Sequence, residues 1–266
     1  MSRNGMLAAA LSVALAPAAA HAQINFQKTD YHVAMGDSVA AGEGAMPVTS
    51  GYAYLLYDHG VFGQKQVMDF ANVAIRGARS WEFLDHQVPQ VLCSRTVQRP
   101  TIVTVTVGAI DFLSGDNDIL GIAARVAEGV NRLLNNGTPL VASPVLEPPT
   151  GLPGAGQPCP ALSNVTILVS NYYSIPHPDP VVNGLLQQAL GGFDQALRFF
   201  LASVNVPAGS RLAVVDLFNP SRDRQGLVLI QRRLGFSGPF DFEVHPTNAG
   251  HTFIAARFAA AWKSLP

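Results

Sequence analysis

Five short runs of apolar, largely β-branched residues punctuate the chain. They are YHVAM (31–35), QVMDFANVA (66–74), TIVTVTVG (101–108), VTILVSNYY (165–173) and RLAVVDL (211–217). Their apolar residues are mostly consecutive, whereas a strand with one wet face alternates, so these runs predict strands covered on both faces. Between them, GIAARVAEGVNRLLNN (121–136) and LLQQALGGFDQALRFFLASV (185–204) repeat apolar residues every three or four positions, the period of an amphipathic helix. TNAGHTFIAARFAAAWKSL (247–265) predicts another, with Thr247 or Asn248 placed to cap it. Strand–helix alternation along the whole chain implies a doubly wound α/β domain around a parallel sheet. Three stretches rich in Pro and Gly, 137–164, 174–184 and 218–243, are expected to be long loops.

Residues 1–22, MSRNGMLAAALSVALAPAAAHA, have the form of a secretory signal peptide. Arg3 supplies the positive start, an Ala/Leu/Val run follows, and Ala20-His21-Ala22 offers a small-x-small cleavage site. Pro17 and the shortness of the run argue against a membrane anchor; a cytosolic apolar N-terminus is the competing reading. Export implies a secreted or periplasmic protein, and residues 23–266 are expected to form one domain. Charged residues are 13% of the chain and the formal net charge is −1. Lys and Arg are scattered, so the basic stripe that a nucleic-acid partner needs is missing. The two cysteines, Cys93 and Cys159, read as one disulfide in an exported protein. It would close a loop of about 65 residues, worth roughly 3–4 kcal/mol by loop entropy; two buried free thiols are the alternative. A zinc site needs more Cys or His close by, so no metal is expected.

Ligands of open α/β sheets bind beyond the carboxyl ends of the strands. Ser38 follows the first run, Gly77 the second and Asp111 the third. Gly36-Asp37-Ser38 is also common turn chemistry, so Ser38 is either a turn residue or a nucleophile brought to that edge. A serine hydroxyl needs a base to take its proton. Of the seven histidines, His21 lies in the leader, and His32, His59 and His86 suit packing or solvent. His177 sits in a Pro-rich loop, and His251 falls inside the last helix. His245, just before that helix, is best placed to reach the sheet edge from a loop. The G-x-S-x-G elbow is not present, since position 40 is Ala.

Taken together, these residues resemble the GDSL, or SGNH, hydrolases. MGDSVAAGEG (35–44) is similar to the family's first block, with Ser38 at the nucleophile position. NVAIRGARS (72–80) is similar to the second, with Gly77 matching the glycine that donates an oxyanion N–H. VTVGAIDF (105–112) is similar to the third, and VHPTNAGH (244–251) to the fifth, with His245 at the base position. The blocks fall in family order across most of the chain. The resemblance implies a flavodoxin-like three-layer α/β/α sandwich. It also implies cofactor-free hydrolysis of a small-molecule, lipid or glycan ester through an acyl-enzyme, by a protein expected to be a monomer.

Two positions depart from the family pattern. Ile110 stands where the third block has an oxyanion-donating Asn, which leaves the Ser38 and Gly77 amides; Asn171 is one side chain that could substitute. Phe242 stands where the family has its acid, three residues before the histidine. Glu243 or Asp241 is then the candidate to orient His245, with Glu243 favoured because alternation in an extended segment puts it on the histidine's side. A backbone carbonyl, leaving a Ser–His dyad, is the alternative. Ile110 also keeps open a relative that binds an acyl or glycan ligand without turnover, and a polysaccharide deacetylase shares the same site chemistry.

Overall fold

The computed structural model describes residues 31–63, 69–93, 100–135, 159–222, 224, 226–232 and 242–266. Residues 1–30, the expected signal peptide among them, and most of the 137–164 stretch lie outside them. Five strands form one parallel sheet: β1 (His32–Gly36), β2 (Phe70–Asn72), β3 (Ile102–Thr106), β4 (Thr166–Ser170) and β5 (Arg211–Val215), in the order β2-β1-β3-β4-β5. That is the flavodoxin-like order. Each strand falls on one of the five apolar runs, β1 extending one residue past its run to Gly36. Burial follows position in the sheet: β1, β3 and β4 are buried at every residue, while the edge strands β2 and β5 are only partly covered.

The helices are α1 (Ser38–Ala41), α2 (Tyr52–Asp58), α3 (Ser80–Glu82), α4 (Val88–Cys93), α5 (Ala109–Leu113), α6 (Ile119–Asn135), α7 (Pro180–Ala202), α8 (Phe218–Ser221) and α9 (Asn248–Ser264). A π-helical turn, Phe83–Gln87, links α3 to α4. Crossovers between parallel strands are right-handed. The step from β1 to β2 runs one way along the sheet and the later steps run the other. Hence α2, with α9 packed on it, covers one face, while α6 and α7 pack together over the other. Cys93, at the end of α4, is joined to Cys159 by a disulfide with Cα atoms 5.3 Å apart.

Two expected loops are partly ordered as regular structure. Asp179 caps α7 through bonds from the Val181 and Val182 amides (2.8 and 3.1 Å), and Pro180 occupies the first turn, so the helix starts inside the predicted 174–184 loop. Within 218–243, Val228–Arg232 forms β6, which pairs antiparallel with β7 (Phe242–Pro246), Leu229 opposite His245. His245 therefore stands on a strand and not on an irregular loop. The aromatic residues of α2 include Tyr52, which is core. Thr247 is the cap of α9, accepting from Gly250 N at 3.1 Å.

Candidate active site

The turn that carries Ser38 is built by a close approach of two strands. Gly36 has φ +129, and a Cβ there would stand 1.9 Å from the Thr106 carbonyl oxygen of β3. Only glycine lets β1 run this near to its neighbour. The chain then turns at Asp37, whose amide donates to Thr106 O (3.0 Å). One Asp37 carboxylate oxygen accepts from Val39 N (3.0 Å) and caps α1; the other receives the Tyr172 hydroxyl. Burial pushes the Asp37 carboxyl up to about 7 against these bonds, and it holds the Tyr172 hydroxyl well above its usual range. Ser38 opens α1 and is 3% exposed.

The second and third strand ends lock onto the first. Asn72 donates to Ala40 O (2.8 Å) and accepts from Ala74 N (3.1 Å), pinning α1 to the end of β2. Gly77 adopts φ +76 with nothing within 4 Å of a Cβ, so its requirement is conformational and not spatial. Asp111 accepts from Ser80 N (2.9 Å) and Ser80 Oγ (2.7 Å), and Arg125 Nε donates to the same Ser80 Oγ (2.7 Å). Burial raises the Asp111 pKa, opposed by those bonds and by Arg125. Asp111 is thus the strut that fixes the Gly77 loop relative to α5.

The β6–β7 hairpin delivers the histidine. Gly44, at φ +84, makes this possible, because a Cβ there would lie 2.2 Å from Pro246 O and 2.7 Å from His245 Cβ. His245 Nε2 lies 3.0 Å from Ser38 Oγ. The same nitrogen lies 3.3 Å from Glu43 Oε2, and Glu43 Oε1 is 3.0 Å from Arg76 Nε. Sequence reasoning missed Glu43: a charge in a Gly-rich turn carries no periodic signal, and it meets His245 only through the fold. Of the candidate acids, Glu243 lies on β7 and Asp241 falls outside the described residues.

Ser38, Gly77 and His245 line a cavity of about 170 Å³ whose other walls include Val39, Ala109, Ile110, Leu113, Tyr172, Ile175 and Val244. Ile110 occupies the wall where the family pattern has its amide. Asn171 does not replace it: its Nδ2 donates to Asp194 (2.7 Å) and Asp216 (3.0 Å), and its Oδ1 accepts from the Leu217 and Phe218 amides. Its donors hold β4, β5 and α7 together.

Three other histidines are structural, while His59 and His86 are exposed. His32 is buried between Phe62 and Phe70 and bonded to Thr104 Oγ1 (2.9 Å). His177 Nδ1 accepts from the Asp179 amide (3.0 Å) beside the α7 cap. His251 is fully buried, with Nδ1 accepting from Tyr52 N (3.2 Å) and Nε2 donating to Glu43 O (2.8 Å). Among the described residues no group of three or more His, Cys, Asp or Glu is arranged to hold a metal ion, and no helix is long and apolar enough to cross a membrane.

A strand-end serine, a hairpin histidine and the glycine that follows β2 thus line one cavity at the carboxyl edge of the sheet. The sequence profile of the GDSL-like lipase/acylhydrolase family matches residues 33–258, and the chain belongs to that family. Solved structures share the fold. One is a member of the lipolytic G-D-S-L family from Veillonella parvula (15% identity, 89% of this chain and 100% of that one, TM-score 0.57). Another is TesA (16% identity, 88% and 98%, TM-score 0.53). A third is the psychrotrophic esterase EstA from Pseudoalteromonas sp., inhibited by monoethylphosphonate (16% identity, 88% and 97%, TM-score 0.50). No curated protein matches the chain by sequence.

Proposed function

We propose that the protein is an exported serine hydrolase that cleaves carboxylic esters through an acyl-enzyme on Ser38. The observation carrying this reading is the 3.0 Å approach of His245 Nε2 to Ser38 Oγ at the wall of an apolar cavity. Ser38 Oγ attacks the ester carbonyl carbon while its proton passes to His245 Nε2. The carbonyl electrons move onto the oxygen, which the Ser38 and Gly77 amides receive. Collapse of the tetrahedral intermediate breaks the bond to the alcohol oxygen, which leaves with the proton from His245. Water then attacks the acyl carbon, gives its proton to His245, and the carboxylic acid departs as Ser38 regains its hydrogen. Glu243 orients the imidazole in this scheme; the backbone at Glu243 is extended, the conformation in which residues two apart share a face. The aliphatic walls suit an acyl group, so the acyl side of the ester fills the cavity.

Hydrolysis of a p-nitrophenyl acyl series by wild type and Ser38→Ala tests the assignment. Loss of at least about 10³-fold in kcat with Ser38→Ala, at unchanged folding, is expected. Ile110 favours a second reading, a ligand-binding relative without turnover. Covalent labelling by an organophosphonate separates the two: an activated Ser38 labels, and a passive binder does not. Acetylated glycans in the same assay would identify a deacetylase.

A further inference from the structure

The imidazole faces two oxygens on one nitrogen. Ser38 Oγ is 3.0 Å from His245 Nε2 and Glu43 Oε2 is 3.3 Å from it. This differs from an orienting acid, which holds the opposite ring nitrogen. Glu43 is itself gripped twice. Its other carboxylate oxygen pairs with Arg76 at 3.0 Å, and its backbone carbonyl accepts from His251 Nε2 at 2.8 Å. Its side chain is 22% exposed, so its charge is only partly screened, whereas Arg76 is 68% exposed.

We propose that Glu43 is a positioning residue for catalysis, a carboxylate on the Nε2 edge of His245 that stabilises the imidazolium formed when Ser38 gives up its proton. The inference rests on Ser38 and His245 acting as assigned above. With neutral His245, Nε2 is an acceptor that takes the Ser38 hydroxyl proton, and the Glu43 carboxylate beside it is mildly repulsive. Once the proton has moved, the N–H points into a space shared by Glu43 Oε2 and the reacting oxygen. An opposite charge at this distance favours the protonated ring. Arg76 opposes that effect by drawing on the same carboxylate. The cost is at low pH, where the same attraction keeps His245 protonated and unable to act as base.

The other described titratable groups near this nitrogen are neutral or bonded elsewhere. His251 from α9 is neutral, its pKa lowered by burial to about 4. Tyr173 from the end of β4 donates its hydroxyl to Val244 O (3.1 Å) and resists ionisation. Asp37 and Tyr172 lie behind Ser38, bonded to each other. On the hairpin itself the sequence carries Arg232 and Glu243.

The test is the pH dependence of kcat/KM on a p-nitrophenyl ester for wild type, Glu43→Gln, Arg76→Met and Ser38→Ala. Glu43→Gln should move the acid limb down by about half to one pH unit and lower the plateau of kcat by about three- to tenfold. Arg76→Met should move the limb the other way, by a few tenths of a unit. A carboxylate that merely tied its turn to Arg76 would give parallel losses and an unmoved limb in both variants. That result overturns the inference while leaving the Ser38 assignment intact. If Ser38→Ala retains activity, the assignment itself fails and the pH limbs no longer bear on Glu43.

Discussion

At the scale of single residues the proposed site is one donor short of the family pattern. The Ser38 and Gly77 donors are backbone amides, set by α1 and by the φ of +76 at Gly77. The third position, Ile110, lines the same cavity and has nothing to donate. Removing one oxyanion donor typically slows acyl transfer about 10²- to 10³-fold. Restoring one should recover part of that, and Ile110 is half-buried on a short helix with its side chain already at the cavity wall. Ile110→Asn is therefore expected to raise kcat by about 10- to 100-fold with little change in KM, read from steady-state hydrolysis of a short acyl ester. No gain would mean that catalysis in this chain does not lean on that wall. That Ser38, Gly77, Ile110 and His245 meet at one sheet edge was legible in the sequence, because each lies beside a strand or helix boundary with a recognisable neighbourhood. Glu43 was not, since the 202 positions separating it from His245 are bridged only by the packing of the hairpin on the nucleophile turn.

At the scale of elements, the sheet was legible and its fastenings were not. Strands β1, β3 and β4 announce themselves because burial on both faces demands unbroken apolar runs. The β6–β7 hairpin has no such demand. LVLIQ is flanked by Gly, Arg and Pro-rich sequence, and it pairs outside the main sheet. Gln87 is equally silent, a polar residue in a π-helical turn, yet it is fully buried and clamps the end of β1. Gly36 N donates to its Oε1 and its Nε2 donates to Gly36 O, both at 2.7 Å. Gly36 lies two residues before Ser38. Gln87→Leu leaves the Gly36 amide buried without an acceptor, at a cost of about 1–3 kcal/mol. Urea unfolding should register that loss, and kcat should fall with it because Ser38 is held through the same turn. A variant as stable as wild type would show that water replaces the amide and that the clamp is dispensable.

At the scale of the whole molecule, buried titratable groups set how stability responds to acid. His251 has its pKa lowered from 6.5 to about 4, first by burial and against the bond it gives Glu43 O; His32 is lowered to about 3 by burial alone. Between those values and 6.5, the unfolded chain binds protons at these rings that the folded chain refuses. Stability contributed by each ring is thus present above about 6.5 and is lost as pH falls, by up to about 1.4 kcal/mol per pH unit. Asp37 runs in the opposite sense. Its carboxyl is raised from 3.8 to about 7, so the folded protein holds a proton that the unfolded chain has released, and its contribution is lost as pH rises through that window. Asp111, also raised by burial, adds to the second sense. With two rings against these carboxyls the opposing slopes largely offset, so the informative quantity is the difference made by removing one ring. His251→Gln abolishes one titration and leaves the others. Between pH 4.5 and 6.0 the wild type should gain about 2 kcal/mol more unfolding free energy than the variant, as measured by urea denaturation at each pH. Parallel pH curves for the two proteins would mean that His251 is charged inside the fold. The hydrogen bonds that hold it between Tyr52 N and Glu43 O would then have to be drawn differently, since a charged ring cannot accept from the Tyr52 amide.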